Sequence, residues 1–172
     1  HLAALINAFN SRAGYPNEPE NNFKPLSLTE VLNPAIAYLG TYLQRRGFCF
    51  DYVNSFQEEK DLLAEKLARG NIRTIAIITT LYVTVFPVVE IVDFIKKYNP
   101  TAKIIAGGPF IRAQALGLDD NNLQALFNSI EGVDIFVNSS QGETALVKII
   151  EAVGKNQPLA GQAARKIFQL YS

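Results

Sequence analysis

Apolar residues in this chain alternate between short unbroken runs and longer stretches where they return every three or four positions. That is the pattern of strands buried on both faces and separated by amphipathic helices. The first run, Leu2-Ala3-Ala4-Leu5-Ile6, ends at Asn7 and predicts a first central strand. Residues 8–32 follow, rich in Asn, Pro, Glu and Ser and without periodicity; connections of that length are uncommon in compact domains and are usually functional or mobile. Asn33-Pro34 then provides an N-cap with proline at the first helical position. Ile36, Leu39 and Leu43, with Tyr38 and Tyr42, form the inward face of a helix that stops at Gly47.

Phe48-Cys49-Phe50-Asp51-Tyr52-Val53 predicts a second strand. Ser55 and Glu58 make a capping box for a helix through Arg69, with Gly70 as its end signal and its charged positions forming a solvated face. Thr74-Ile75-Ala76-Ile77-Ile78-Thr79 is a third strand, buried on both faces by its lack of alternation. A helix from about Val85 turns Val88, Val89, Val92 and Ile95 inward and ends at Asn99-Pro100, because a residue before proline avoids helical angles. Lys103-Ile104-Ile105-Ala106 is a fourth strand running into Gly107-Gly108-Pro109. Two short helical pieces (111–116 and 122–129), a fifth strand at Val133-Asp134-Ile135-Phe136-Val137, and a helix opened by a Ser140/Glu143 capping box through about Val153 complete the alternation. Residues 166–171 offer one more strand.

Five strands joined by helical crossovers define an α/β fold: a doubly wound parallel sheet with helices on both faces. The flavodoxin-like (Rossmann-like) order 2-1-3-4-5 is the natural one for five strands, and it places a ligand crevice at the carboxyl edge between the loops after strands one and three. Residues 1–156 form this domain and 157–172 a tail that would join it to a further domain. Three segments converge on the crevice: 8–32, Thr79-Thr80-Leu81-Tyr82 and Gly107-Gly108-Pro109. Two glycines at a strand end let backbone approach a bulky group closely; alternatively, they serve a tight strand-to-helix turn that needs a positive φ.

The 172 residues are 48% hydrophobic, enough for one domain with its own core. Acids and bases balance at 16 each, which disfavours a nucleic-acid surface. The single cysteine, Cys49, excludes an intrachain disulfide or a thiolate cluster and points to the cytoplasm, and its strand position makes it a small buried hydrophobe. The only histidine is His1. Residues 75–89, the longest apolar stretch, contain three threonines and Pro87 and are too short to span a bilayer. Without methionine the chain reads as a piece of a longer protein.

Several chemistries are disfavoured at the edge. A receiver domain needs magnesium-binding carboxylates where this chain has Asn7-Ala8 and Thr79-Thr80. There is no Gly-x-Gly-x-x-Gly fingerprint and no P-loop. Ser11-Arg12-Ala13-Gly14 is a poor phosphate loop for a flavodoxin.

Four ordered motifs resemble the N-terminal cobalamin (B12)-binding domain of B12-dependent radical SAM proteins. Leu39-Gly40-Thr41-Tyr42-Leu43 through Gly47 resembles that family's first helix, and Thr79-Thr80-Leu81 its Ser/Thr-x-Leu turn. Pro100 to Pro109 resembles its Pro-x-x-x-Ile-Val-x-Gly-Gly-Pro strand, and Ser140-Gln141-Gly142-Glu143 stands where a Gly-Glu-Gly-Glu is usual. The resemblance implies that cobalamin binds at the carboxyl edge, touching Asn7, Ala8, Phe9, Thr79, Thr80, Leu81, Tyr82, Gly107, Gly108, Pro109, Ser140, Gly142 and Glu143. Thr79 or Thr80 would hydrogen-bond the nucleotide tail, Gly107-Gly108 would pack on it, and Leu81 and Tyr82 would shape the wall beneath the corrin ring. Tyr15, Tyr38 and Tyr82 either face that ring or fill the core. With no Asp-x-His-x-x-Gly motif, the cobalamin would be base-off without a histidine ligand to cobalt.

The radical SAM Cys-x-x-x-Cys-x-x-Cys triplet is absent, so S-adenosylmethionine and a [4Fe-4S] cluster would belong to a further domain. The resemblance therefore implies a module that is not catalytic alone and presents cobalamin within a methyltransferase. The alternatives are a scaffold or interaction domain of the same fold with no cofactor, and a flavin or nucleotide carrier.

Overall fold

The computed structural model describes residues 32–155 and the strand at 167–169. Helix α1 (Pro34–Gln44) leads through an irregular segment to α2 (Lys60–Ala68), β1 (Thr74–Ile78), α3 (Phe86–Tyr98) and β2 (Lys103–Gly107). Then come α4 (Pro109–Gly117), α5 (Asp120–Ser129), β3 (Ile135–Asn138), α6 (Gly142–Gly154) and the short β4 (Ile167–Gln169). All pairings are parallel and the spatial order is β1-β2-β3-β4. The α/β class and the parallel sheet are as the pattern predicts. The three strands predicted from 74–79, 103–106 and 133–137 lie side by side, and the tail run adds β4 beyond them.

Alternation of side chains sorts the core into two layers. Ile77, Ile104, Ala106 and Phe136 face a layer containing Leu67 of α2, Val88, Ile91, Val92 and Ile95 of α3, Phe110 and Ile111 of α4, and Leu123 and Phe127 of α5. Ile105, Ile135 and Val137 face the other layer, where Leu43 of α1 and Ala145, Leu146 and Ile149 of α6 pack. The rings of Phe127 and Phe136 stack at 4.1 Å between centroids, sealing α5 to the sheet. At the amino end of the sheet, buried Asn99 donates to the Ile72 carbonyl and accepts from the Ala102 amide, so the end of α3 is tied to the chain entering β1 and to the turn into β2.

Several expectations are corrected. Five strands are not seen among the described residues: the predicted first strand, 2–6, lies outside them, and 48–53 is irregular rather than a strand. Phe50 and Tyr52 are 43% and 48% exposed, because no sheet neighbour covers them among the described residues. Cys49 is exposed, not buried, for the same reason. β1 is not buried on both faces: Ala76 is exposed, since β1 ends the described sheet and its outer flank is open.

Two capping boxes also fail. Glu59, not Glu58, reaches back, its Oε2 accepting from the amides of Asn54 at 2.6 Å and Ser55 at 2.9 Å, and α2 begins only at Lys60. At α6 no side chain caps the helix, and the Ser139 hydroxyl accepts instead from the Gln141 amide at 3.0 Å. The charged face of α2 is interlocked in part. Lys66 donates to Asp51 at 2.6 Å and to the Tyr52 carbonyl at 2.7 Å, pinning the 48–53 segment onto the helix.

Candidate functional site

The carboxyl ends of β1, β2 and β3 carry the described part of the predicted site. β1 runs out at Ile78 into Thr79, which is fully buried; its amide and its hydroxyl each donate to the Gly107 carbonyl at 2.9 Å. Thr80 is exposed, so of the two threonines its hydroxyl is the one presented to solvent.

The glycine pair has an internal explanation at each position. A Cβ on Gly107 would lie 3.2 Å from Val137 Cβ on β3. Gly108 has φ +115°, and a Cβ there would lie 3.1 Å from both the amide nitrogen and Oγ1 of Thr79. A side chain at Gly108 would therefore meet both backbone strain and a wall of backbone atoms. Pro109 follows as the first residue of α4, where a missing N–H costs nothing.

After β1 the chain exposes an apolar surface. Leu81 is 70% exposed, Val83 88% and Phe86, the first residue of α3, 76%. Tyr82 turns the other way and packs on the core below them, and its burial pushes the phenol above its usual range, with Glu90 adding to the effect. Val83 and Phe86 were not among the expected site residues. No pattern in the sequence marked them: Val83 precedes α3, and falling off the inward periodicity of Val88, Val92 and Ile95 tells only that Phe86 is not needed for the helix to pack, not which way it faces.

The third loop, after β3, leaves Ser140 exposed and Gly142 at the start of α6. Glu143 is half-buried and accepts from the Tyr38 hydroxyl of α1 at 3.4 Å. Its carboxylate raises the Tyr38 phenol pKa, since ionising the phenol would set two negative charges side by side. One turn on, the Tyr42 and Thr144 hydroxyls share a hydrogen bond of 3.1 Å, and the Arg46 guanidinium lies 3.4 Å over the Tyr42 ring. Glu143 is thus committed to joining α6 to α1. Asn7, Ala8 and Phe9 lie outside the described residues.

A groove of about 1110 Å³ runs from this edge down the flank of β1. Leu81, Tyr82 and Phe86 line its upper end, and residues 74–78 of β1 its floor. No cluster of His, Cys, Asp or Glu able to hold a metal occurs among the described residues. No helix among them is long and apolar enough to cross a membrane. No family model, no curated protein and no solved structure matches this chain.

Proposed function

We propose that this chain is the cobalamin-binding module of a B12-dependent radical SAM enzyme, a methyltransferase, built on a doubly wound flavodoxin-like sheet. The observation that carries the reading is the surface formed by Leu81, Val83 and Phe86. Three large apolar side chains within six residues of chain, each more than two-thirds exposed, follow β1 at the carboxyl edge, where parallel sheets take ligands. A flat macrocycle with an apolar face suits such a platform. A cobalamin held here would have no histidine ligand to cobalt from this chain's described residues.

In this reading Leu81, Val83 and Phe86 support the ring and exclude water from it. Thr80 offers the hydroxyl to the nucleotide tail, since the Thr79 hydroxyl is already spent on Gly107. The bound group would supply a transferable methyl; this chain's own residues hold and orient it.

A second reading, an interaction domain with no cofactor, is favoured by one fact: Val137 and Thr79 fill the space that the glycine pair leaves. A titration of the purified chain with hydroxocobalamin and methylcobalamin, followed by gel filtration and a visible spectrum, separates the two. Co-elution with a base-off spectrum is the expected result. Loss of all colour at high micromolar protein would sink the cofactor reading and leave the apolar platform as a protein-contact surface.

A further inference from the structure

We infer that Tyr38 is a positioning residue for the carboxyl edge: from α1 it holds the first turn of α6, and so sets where the loop before α6 stands at the ligand site. Its effect on binding rests on the cofactor reading; its effect on α6 does not.

A helix begins with amides that have no intrahelical partner, and a side chain just before it usually takes one of them. α6 has no such cap. The Ser139 hydroxyl accepts from the Gln141 amide, one residue short of the helix. The Ala145 amide then closes the first turn on the Gln141 carbonyl at 3.1 Å. An uncapped start of this kind frays unless something outside the helix holds it.

The hold comes from a stripe on α1. Tyr38, Tyr42 and Arg46 are spaced four apart, beside the Leu39 and Leu43 that pack on the core. The Tyr38 hydroxyl donates to Glu143 at 3.4 Å, and the Tyr42 and Thr144 hydroxyls share their bond at 3.1 Å, so both ties fall within the first turn of α6. Arg46 lies 3.4 Å over the Tyr42 ring and donates to the Tyr42 carbonyl at 3.1 Å, which keeps that ring in place. α1 is anchored at its own start: Asn33 Oδ1 accepts from the Ala35 amide at 2.9 Å, and the Asn33 amide donates to Asn54 Oδ1 at 2.8 Å.

Apolar packing between the two helices tolerates sliding, whereas hydrogen bonds are directional and do not. Of the two ties, Tyr38 is the one nearer the 139–142 loop. At 56% exposure it does not fill the core, which leaves its hydroxyl's bond to Glu143 as what it contributes to the fold.

Tyr38→Phe in the full chain keeps the ring and removes the donor. The urea midpoint should stay where it is, because the bond is exposed. Amide exchange of Ala145, read by NMR, should speed about threefold or more while that of Ile149, further along α6, is unchanged. The Kd for methylcobalamin should rise about three- to tenfold. Unchanged exchange of Ala145 would overturn the inference whatever the chain binds. So would a fall in midpoint large enough to account for the lost affinity, since the role would then be structural only. Faster exchange in a chain whose unaltered form binds no methylcobalamin would defeat the cofactor reading and leave the hold on α6 standing. Faster exchange at an unchanged Kd would overturn the link between α6 and the site.

Discussion

Thr79 gives both its amide and its hydroxyl to a single acceptor, the carbonyl oxygen of Gly107, at 2.9 Å each. The pair locks the ends of β1 and β2 together just where the chain leaves the sheet. It also fixes Thr79 as the surface against which Gly108 turns.

Gly108→Ala should therefore destabilise the domain by about 1–3 kcal/mol, from an L-residue at positive φ and a Cβ pressed on Thr79 backbone. Urea denaturation followed by circular dichroism reads the shift in midpoint. An unchanged midpoint would mean the turn has another conformation in solution.

The two adjacent threonines should separate stability from ligand binding. Thr79→Val removes a buried hydroxyl bond but leaves the Gly107 carbonyl its amide donor, costing about 1 kcal/mol of stability. Thr80→Val, at an exposed position, should leave stability unchanged and weaken cobalamin binding by the loss of one hydrogen bond. The binding half of this prediction rests on the cofactor reading; the stability half does not. If Thr79→Val weakened binding more than Thr80→Val at equal folded fraction, the assignment of the tail donor would reverse.

The strands that became β1, β2 and β3 were legible because each has at its centre three or four consecutive apolar residues, 75–78, 104–106 and 135–137, set between helical periods. The 48–53 segment has the same composition but no strand beside it among the described residues, so its pattern alone could not settle its conformation. Capping was misread because a box is a distance, not a spelling: Glu58 and Glu59 both lie near Ser55, and only the second reaches the free amides. Within the site, Leu81 and Gly108 could be placed from the chain. The apolar surface of Val83 and Phe86 could not, because exposure depends on the direction in which α3 leaves the sheet.

Gly132 is a stronger case of the constraint at Gly108. Its φ is +83°, and a Cβ would lie 2.6 Å from Cγ1 of Val92, which is fully buried on α3. Gly132→Ala should cost about 3 kcal/mol, combining backbone strain with overpacking. In a Val92→Ala background, which opens that space, the cost should fall by about 1 kcal/mol. Equal costs in both backgrounds would show that the backbone angle, not the contact, dominates.

Asp134 sets the expected acid sensitivity. Burial pushes its carboxyl upward, but the Lys103 ammonium at 2.8 Å, the Ile104 amide at 2.8 Å and the charges of Lys103 and Lys96 outweigh it, and the net pKa lies below the ordinary 3.8. A carboxylate depressed in the folded state contributes stability that is complete above its unfolded pKa and is lost as pH falls through the folded one. Asp51, Glu90 and Asp119 are lowered too, so the acid slope of the unaltered chain is a sum. The difference between that chain and Asp134→Asn isolates one group. The variant should be less stable at pH 7 by about 1–3 kcal/mol, as expected for weakened bonds to a charged acceptor. Denaturation midpoints should then converge as pH drops below 3.8, because the unaltered chain loses there what the variant never had. A gap that stayed constant down to pH 2 would mean that Asp134 is held by geometry alone and that its charge contributes nothing.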